Sequence, residues 1–348
     1  MFREKKLIAI SGLVSLGLVL LLVVVNIVST NAIEKKDDPK LAKTSTQVTK
    51  KPVHKTFVKS LEAKQAVMDA DLARMDSLGL YYDYHKLSLV DTVNAYLQEF
   101  GIDPSQIAFS YKNLETGETF AMNETQPMTA GSTYKLPLNM LVVDEVVKGK
   151  LSLTERFDIT HTDYEYEKEH QAYVSQFSGA MAIPDMQEYS LVYSENTPAY
   201  ALSERLGGME TAYSKFGRYG KSKGSIPTIS LKGNKTTTDY YIQVLDYLWQ
   251  HQKKYSDVLG YIGRSFPGDY YKTYLPGLDI YQKPGYVREA LNVGAIVCEE
   301  TPYLIALYTA GLGGATEYSY EINALGYRQF VNLTYVINEW HRVNQNKP

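Results

Sequence analysis

The sequence predicts an α+β fold built on a five-stranded, mostly antiparallel sheet. Two strand-like segments come early, at 107–112 and 119–122, and three more come late, near 278–283, 291–297 and 302–310. Helical periodicity dominates between the two groups, and helical segments also stand at both ends of this region. This order predicts terminal helices packed on one face of the sheet, with the central helical block forming a second lobe.

The N-terminal segment predicts a membrane anchor. Leu7–Val28 holds no charged side chain and is rich in Leu, Val and Ile. That length can cross a bilayer as a helix, and Arg3, Lys5 and Lys6 before it favour a cytoplasmic N-terminus over residues 1–6. A cleaved signal peptide is the alternative. We expect an uncleaved, single-pass signal anchor over 7–28, with the main domain extracellular.

Residues 29–57 predict a polar linker, because Lys, Asp, Thr and Gln dominate and no apolar periodicity is present. Residues 58–86 predict a helical stalk or a helix that packs on the main domain, which occupies 87–348. The apolar side chains expected to be buried in this helix are Leu61, Ala66, Met68, Leu72 and Met75.

The main domain begins with a helix over 87–100, which Gly101 ends. The segments 107–112 and 119–122 form a hairpin signal, because six polar and turn-forming residues join them. The later helices are expected at about 132–148, 185–192, 196–207, 236–252, 255–265 and 324–344.

Composition narrows the class of partner. The chain has 348 residues and a formal net charge of −3, which gives no indication of nucleic-acid binding. One cysteine, Cys298, excludes an internal disulfide. The 30 tyrosines are compatible with stacking on sugars or flat rings, but packing at the rim of the domain explains them equally well.

The tetrad Ser132-Thr-Tyr-Lys135 is the first candidate for chemistry. In the first turn of a helix, Ser and Lys three residues apart lie on one face, so the Lys135 amine is expected within hydrogen-bond reach of the Ser132 hydroxyl. A serine hydroxyl needs such an adjacent base to become a nucleophile. The start of an ordinary surface helix would give the same tetrad.

Two later triplets strengthen the interpretation of Ser132 as a nucleophile. Ser194-Glu195-Asn196 resembles S-D-N, and Lys283-Pro284-Gly285 resembles K-T-G. Taken alone, the first could be a helix cap and the second a turn at the end of a strand. In the order S-x-x-K, S-D-N, K-T-G they resemble the penicillin-recognising serine enzymes, that is, class A β-lactamases and penicillin-binding proteins. The resemblance covers roughly residues 88–343.

The resemblance implies a role for each matching residue. Ser132 would be the nucleophile and Lys135 its base, with a pKa lowered by burial and by the positive charge of Lys283. Ser194 would relay a proton to the leaving nitrogen, and Asn196 would bind the substrate amide. The backbone N–H groups of Ser132 and Tyr286, the residue after Gly285, would form the oxyanion hole. No metal and no cofactor is implied.

Two departures from the family pattern bear on activity. Pro284 lacks the hydroxyl that K-T-G offers to a substrate carboxylate, so Lys283 and Arg288 are the expected carboxylate partners. The segment Tyr213–Lys235, where class A enzymes keep the glutamate that positions the deacylating water, contains no Glu or Asp. Acidic residues lie upstream in Asp163–Glu169, but the sequence does not place them in the site.

The resemblance therefore implies a membrane-anchored serine hydrolase that acts on a β-lactam or on a peptide amide such as the stem peptide of peptidoglycan. Slow deacylation is expected, because the water-positioning carboxylate is missing. A binding or scaffold protein on the same fold, without turnover, is the main alternative. A plain adhesion or stalk module would explain the anchor and the tyrosines but not the order of the motifs.

Overall fold

The computed structural model describes residues 61–287, 290–313 and 323–345. Nine strands and ten α-helices lie in these ranges, the longest strands late in the chain. The strands are β1 (Ile107–Asn113), β2 (Thr119–Met122), β3 (Met128–Thr129), β4 (Arg156–Asp158), β5 (Ala180–Ala182), β6 (Lys235–Thr236), β7 (Asp279–Val287), β8 (Ala290–Cys298) and β9 (Tyr303–Thr309).

Five strands form the central sheet in the order β2-β1-β9-β8-β7, and every neighbouring pair is antiparallel. The predicted α+β fold with a five-stranded sheet is confirmed. The predicted strand near 278–283 is longer than expected, because β7 continues through the Lys283-Pro284-Gly285 triplet to Val287. Pro284 is tolerated there because β7 is an edge strand and needs no backbone donor on its outer side.

The helices surround this sheet. A 3₁₀ turn, Gly131–Tyr134, leads directly into the helix that the sequence predicted from residue 132. The α-helices are α1 (Leu61–Leu78), α2 (Leu89–Glu99), α3 (Lys135–Val147), α4 (Glu167–Gln176), α5 (Ile183–Val192), α6 (Asn196–Arg205), α7 (Met209–Ser214), α8 (Thr238–Gln250), α9 (Ser256–Arg264) and α10 (Ala324–Asn344).

Both faces of the sheet are buried, each in a different core. Successive side chains of a strand point to opposite faces, so β9 supplies alternate residues to the two cores. One core joins the sheet to α8 and the rest of the helical block, and the other joins it to the terminal helices α2 and α10. From β9, Leu304, Ala306 and Tyr308 enter the first core, and Tyr303, Ile305 and Leu307 enter the second.

Helix α8 approaches the sheet closely at Gly294 of β8. A Cβ atom on Gly294 would overlap the ring of Tyr241, so only glycine lets the helix sit at this depth. This contact matters for the site, because Tyr241 also reaches the turn that carries Ser132.

The N-terminal predictions have different outcomes. Residues 1–60, including the expected anchor over 7–28 and the linker, lie outside the described residues, as do the side chains of Leu61 and Met68. Among the described helices, none is long and apolar enough to span a membrane. In α1 the prediction of a buried Leu72 is wrong, since this side chain is 54% exposed, and Ala66 is exposed as well. Met75 is half-buried against the second core, as the apolar spacing predicted.

Candidate active site

The turn that carries Ser132 is held from the sheet and from α8. Gly131 begins the 3₁₀ turn with a φ of +56°, a left-handed conformation that favours glycine. The hydroxyl of Tyr308 on β9 donates to Thr133 Oγ1 at 2.7 Å, and the hydroxyl of Tyr241 on α8 donates to Thr133 O at 3.0 Å. These bonds fix the turn, and the half-buried Ser132 side chain faces the cleft that is described below.

Strand β7 lies directly against this turn. A Cβ atom on Gly285 would lie 2.9 Å from Ser132 N, and one on Gly131 would lie 3.2 Å from Tyr286 N. Two glycines therefore allow the backbones to meet. The backbone nitrogens of Ser132 and Tyr286, the predicted oxyanion-hole donors, are consequently brought to the same place.

Lys135 lies behind the serine and is fully buried. Its Nζ donates to Ser194 O and, at 2.6 Å, to Asn196 Oδ1. The predicted hydrogen bond between Lys135 and the Ser132 hydroxyl is not formed. A buried ammonium needs strong acceptors, and the two carbonyl oxygens supply them in place of the hydroxyl.

Ser194 connects the two motif lysines. Its backbone has a φ of +64°, a strained conformation for a residue other than glycine. The carbonyl oxygen accepts from Lys135, while Oγ accepts from Lys283 Nζ at 2.7 Å. Lys283 also donates to Pro284 O at 2.9 Å and is fully buried. The three predicted motifs thus meet at one point.

Burial is the main cause that lowers the pKa values of both lysines. Burial lowers the pKa of Lys135 to about 8, although the carboxylates of Glu195, Glu169 and Glu165 oppose the shift. The pKa of Lys283 falls well below its usual value, through burial and then through the charge of Lys135. The expected direction for Lys135 is therefore found with burial as its main cause, and the repulsion between the two lysines adds to burial in lowering the pKa of Lys283.

Two glutamates that the sequence did not place in the site lie beside Asn196. Glu165 Oε2 accepts from Asn196 Nδ2 at 2.9 Å, and Glu169 Oε1 accepts from the backbone N–H of Asn196 at 3.1 Å. Glu169 also accepts from Thr197 N at 3.3 Å, so it caps α6. Only Glu169 lies on α4, which was not predicted, and Glu165 precedes this helix, so no sequence pattern pointed to either carboxylate.

Glu195, the residue that replaces Asp in the second motif, is buried next to Glu169. Burial and the adjacent Glu169 carboxylate raise the pKa of Glu195 to about 7, while the Lys135 ammonium opposes the shift. The Glu195 carboxyl therefore holds a proton more readily than an ordinary glutamate does. The lysine pair and this glutamate pair therefore form adjacent groups whose charges respond to one another.

The motif residues and the three glutamates lie around a cleft of about 490 Å³. Ser132, Ser194 and Asn196 lie on its wall, and Tyr286 lies at its edge, 48% exposed. Lys135 and Lys283 lie behind this wall rather than on it. The arrangement places a nucleophile, buried amines and two backbone donors around one accessible space.

The sequence profile of the β-lactamase enzyme family matches residues 88–328. The chain belongs to this family. The range includes all three motifs and the whole central sheet, so the resemblance of the motifs to penicillin-recognising enzymes is confirmed at the level of the family. No curated protein matches the sequence significantly.

Solved structures show the same fold at low sequence identity. A class A β-lactamase of the last common ancestor of Gram-negative bacteria has a TM-score of 0.60 at 16% identity, over 73% of this chain and 99% of that one. A β-lactamase from Burkholderia vietnamiensis has a TM-score of 0.60 at 17% identity, over 76% and 100%. PBP-A has a TM-score of 0.58 at 17% identity, over 71% and 94%. Such likenesses show the fold alone.

One predicted residue of this β-lactamase-family site lies outside the described residues. Arg288, expected to help Lys283 bind a substrate carboxylate, falls in the short connection between β7 and β8. Pro284, the neighbour of Lys283, is buried within β7. The carboxylate-binding role of Lys283 and Arg288 remains a prediction.

Proposed function

We propose that this protein is a serine hydrolase that forms an acyl-enzyme on Ser132. The observation that carries the proposal is the meeting of the three motifs: Ser132 on the cleft, and Lys135 and Lys283 buried behind it and joined through Ser194. A buried amine with a lowered pKa beside a serine supplies the base that a hydroxyl nucleophile requires.

Acylation would proceed by attack of Ser132 Oγ on the substrate carbonyl carbon. The hydroxyl proton passes to the neutral Lys135 amine, which must first turn from its acceptors on Ser194 and Asn196. The backbone N–H groups of Ser132 and Tyr286 stabilise the negative charge on the carbonyl oxygen. As the C–N bond breaks, Ser194 Oγ gives its proton to the leaving nitrogen and takes up the proton that Lys135 removed from Ser132, which leaves the Lys135 amine neutral again.

Deacylation is proposed to be slow. Glu165 and Glu169 are the carboxylates that replace the missing glutamate in the cleft, but both already accept hydrogen bonds from protein groups. A free general base typically accelerates such a step by about 10²–10⁴-fold. Rapid hydrolysis of a chromogenic cephalosporin would contradict slow deacylation and would make Glu165 the first candidate for the base.

The proposed substrates are β-lactams and peptide amides of the cell wall. The family and the three motifs support this class, and the apolar segment Leu7–Val28 supports anchorage of an extracellular enzyme in the cell membrane. Pro284 supports weaker recognition of a substrate carboxylate than K-T-G enzymes achieve, because its ring offers neither a hydroxyl nor an N–H.

A second candidate function is binding without turnover. The resting hydrogen bonds of Lys135, which bypass Ser132, and the presence of Pro284 favour it. In that case the cleft would hold a wall peptide or a β-lactam reversibly and Ser132 would not be acylated.

Intact-mass analysis separates the two functions. The purified full chain is incubated with a fluorescent penicillin, and the modified peptide is located after proteolysis. We expect one adduct per chain, on Ser132, which is absent in Ser132→Ala and retained in Ser152→Ala, a change at an exposed serine outside the cleft. Reversible binding without an adduct in the unmodified chain would favour the second function.

A further inference from the structure

Glu165 presents a negative charge at the mouth of the cleft. It is exposed, it lines the cavity, and it precedes α4 in the chain. Its two oxygens accept from neutral donors, Asn196 Nδ2 at 2.9 Å and the hydroxyl of Tyr200 at 2.7 Å. These donors fix the carboxylate in place without neutralising it.

No positive side chain of the described residues offsets this charge on the cleft surface. The lining contains no lysine and no arginine within the part of the chain that the structure describes. Lys135 and Lys283 are both 0% exposed, so neither presents an ammonium to the cavity. Around Glu165, the described part of the cleft surface therefore favours a cation over an anion.

Tyrosines line the same cleft as this carboxylate. Tyr166, next to Glu165, is 61% exposed, and Tyr286 on the edge of the cleft is 48% exposed. Tyr200, whose hydroxyl bonds Glu165, also lines the cavity. An ammonium group is attracted to the faces of aromatic rings as well as to a carboxylate, so these tyrosines are an independent indication of a cationic ligand.

The position of Glu165 indicates which part of a substrate it meets. Asn196, to which Glu165 is hydrogen-bonded, is the residue expected to bind the substrate amide. We propose that Glu165, with Tyr166 and Tyr200, forms a subsite for a primary ammonium group next to that amide. The inference rests on the proposed function for its orientation. The preferred substrates are then amides or β-lactams with an amino group on the acyl side chain.

Three penicillins give a matched test, because they share the bicyclic core and differ at one carbon of the side chain. That carbon bears hydrogen in benzylpenicillin, an ammonium group in ampicillin and a carboxylate in carbenicillin. Affinities are measured by titration calorimetry on the full chain carrying Ser132→Ala, which cannot be acylated. We expect ampicillin to bind about three- to tenfold more tightly than benzylpenicillin, and carbenicillin to bind more weakly still.

Two substitutions, each added to Ser132→Ala, assign the effect to its residue. Glu165→Gln removes the charge: its oxygen can still accept from Asn196 Nδ2, and the Tyr200 hydroxyl can turn to accept from its amide nitrogen. This change should reduce the spread of affinities to about twofold or less. Glu167→Gln makes the same charge change at an exposed residue outside the cleft lining and should leave the order intact.

The outcomes of the titration and of the mass analysis can be told apart. Equal affinities for the three penicillins, a reversed order, or no binding by any of them would overturn the ammonium subsite. Failure to find an adduct on Ser132 in the unmodified chain would overturn the acyl-enzyme, whatever the order of affinities. The preference should also weaken as salt is added, since an exposed carboxylate is screened.

Discussion

Helix α3 buries Lys135 at its first residue and Asp144 in its last turn, and the two charges are neutralised to different degrees. Asp144 is 2% exposed and accepts from Tyr219 at 3.0 Å and Tyr255 at 2.8 Å. Arg218 and Lys254 add two ion pairs. These four partners hold the pKa of Asp144 below its usual value even though burial alone would raise it.

Lys135 is compensated less, because the nearby carboxylates of Glu195, Glu169 and Glu165 oppose the shift of its pKa only in part. Its two acceptors are neutral oxygens, and burial lowers its pKa to about 8 instead of leaving the charge stable. The comparison shows that a buried charge with ion-pair and hydrogen-bond partners stays ionised and stabilises the fold. A buried ammonium whose hydrogen-bond acceptors are neutral loses its proton more easily. Helix α3 thus carries one charge that stabilises the fold, Asp144, and one group placed to accept a proton, Lys135.

The largest expected effect follows from Lys135→Met. Loss of the base should slow the acylation of Ser132 by about 10²–10⁴-fold. The free energy of unfolding should stay the same or rise, because an apolar side chain of similar length replaces a buried charge without an ion pair. Time-resolved intact mass and urea denaturation measure the two quantities. Acylation at the normal rate would show that Lys135 is not the base.

Lys232→Met serves as the control for this variant, since Lys232 is exposed on the segment between α7 and α8. It should alter neither acylation nor stability by a measurable amount.

Asp144→Ala should show the opposite pattern. Removing the carboxylate leaves Arg218 and Lys254 without their partner, and we expect the free energy of unfolding to fall by roughly 3 kcal/mol. The value is at the low end for a buried pair because these side chains keep 34% and 32% exposure. Urea denaturation checks it. If the variant were as stable as the unmodified chain but failed to acylate, Asp144 would act in the reaction, and the contrast between Asp144 and Lys135 would be wrong.

The matched control is Asp83→Ala, which breaks the surface ion pair with Lys86. Exposed pairs contribute little to stability, so the change should be much smaller than at Asp144.

Gly285→Ala is expected to destabilise the fold less than Asp144→Ala does and to have a clear effect on acylation. The new Cβ would lie 2.8 Å from Ala130 O and 2.9 Å from Ser132 N, both backbone atoms that cannot move aside freely. Such overpacking costs about 1–3 kcal/mol and should displace the oxyanion-hole donors. Gly260→Ala, with open space around its Cβ, should cause neither change.

The parts of the fold with strong periodicity could be predicted from the sequence. The last helix has the predicted bounds of 324–344, and the hairpin of β1 and β2 lies where the alternating residues placed it. The early and late strands were recognisable because their apolar residues fill two cores at once. The Leu72 prediction was wrong because apolar spacing on α1 does not ensure a neighbouring surface to cover it.

The parts of the site that depend on three-dimensional burial could not be predicted. The motifs indicated Ser132, Lys135, Ser194 and Lys283, but the choice of acceptors for Lys135 follows from which oxygens the fold brings near it. Helix α4 was missed because its polar sequence has little apolar periodicity, and the place of Glu169 in the site was missed with it.

The pH dependence of Ser132 acylation tests the central claim most directly. The rate constant is measured by intact mass from about pH 6 to about pH 10, on the full chain with benzylpenicillin. Since the neutral amine is the base and its pKa is lowered to about 8, the rate should rise with pH and level off above this value. A rate that is flat across this range, or that rises only near the pKa of an ordinary lysine, would contradict the account.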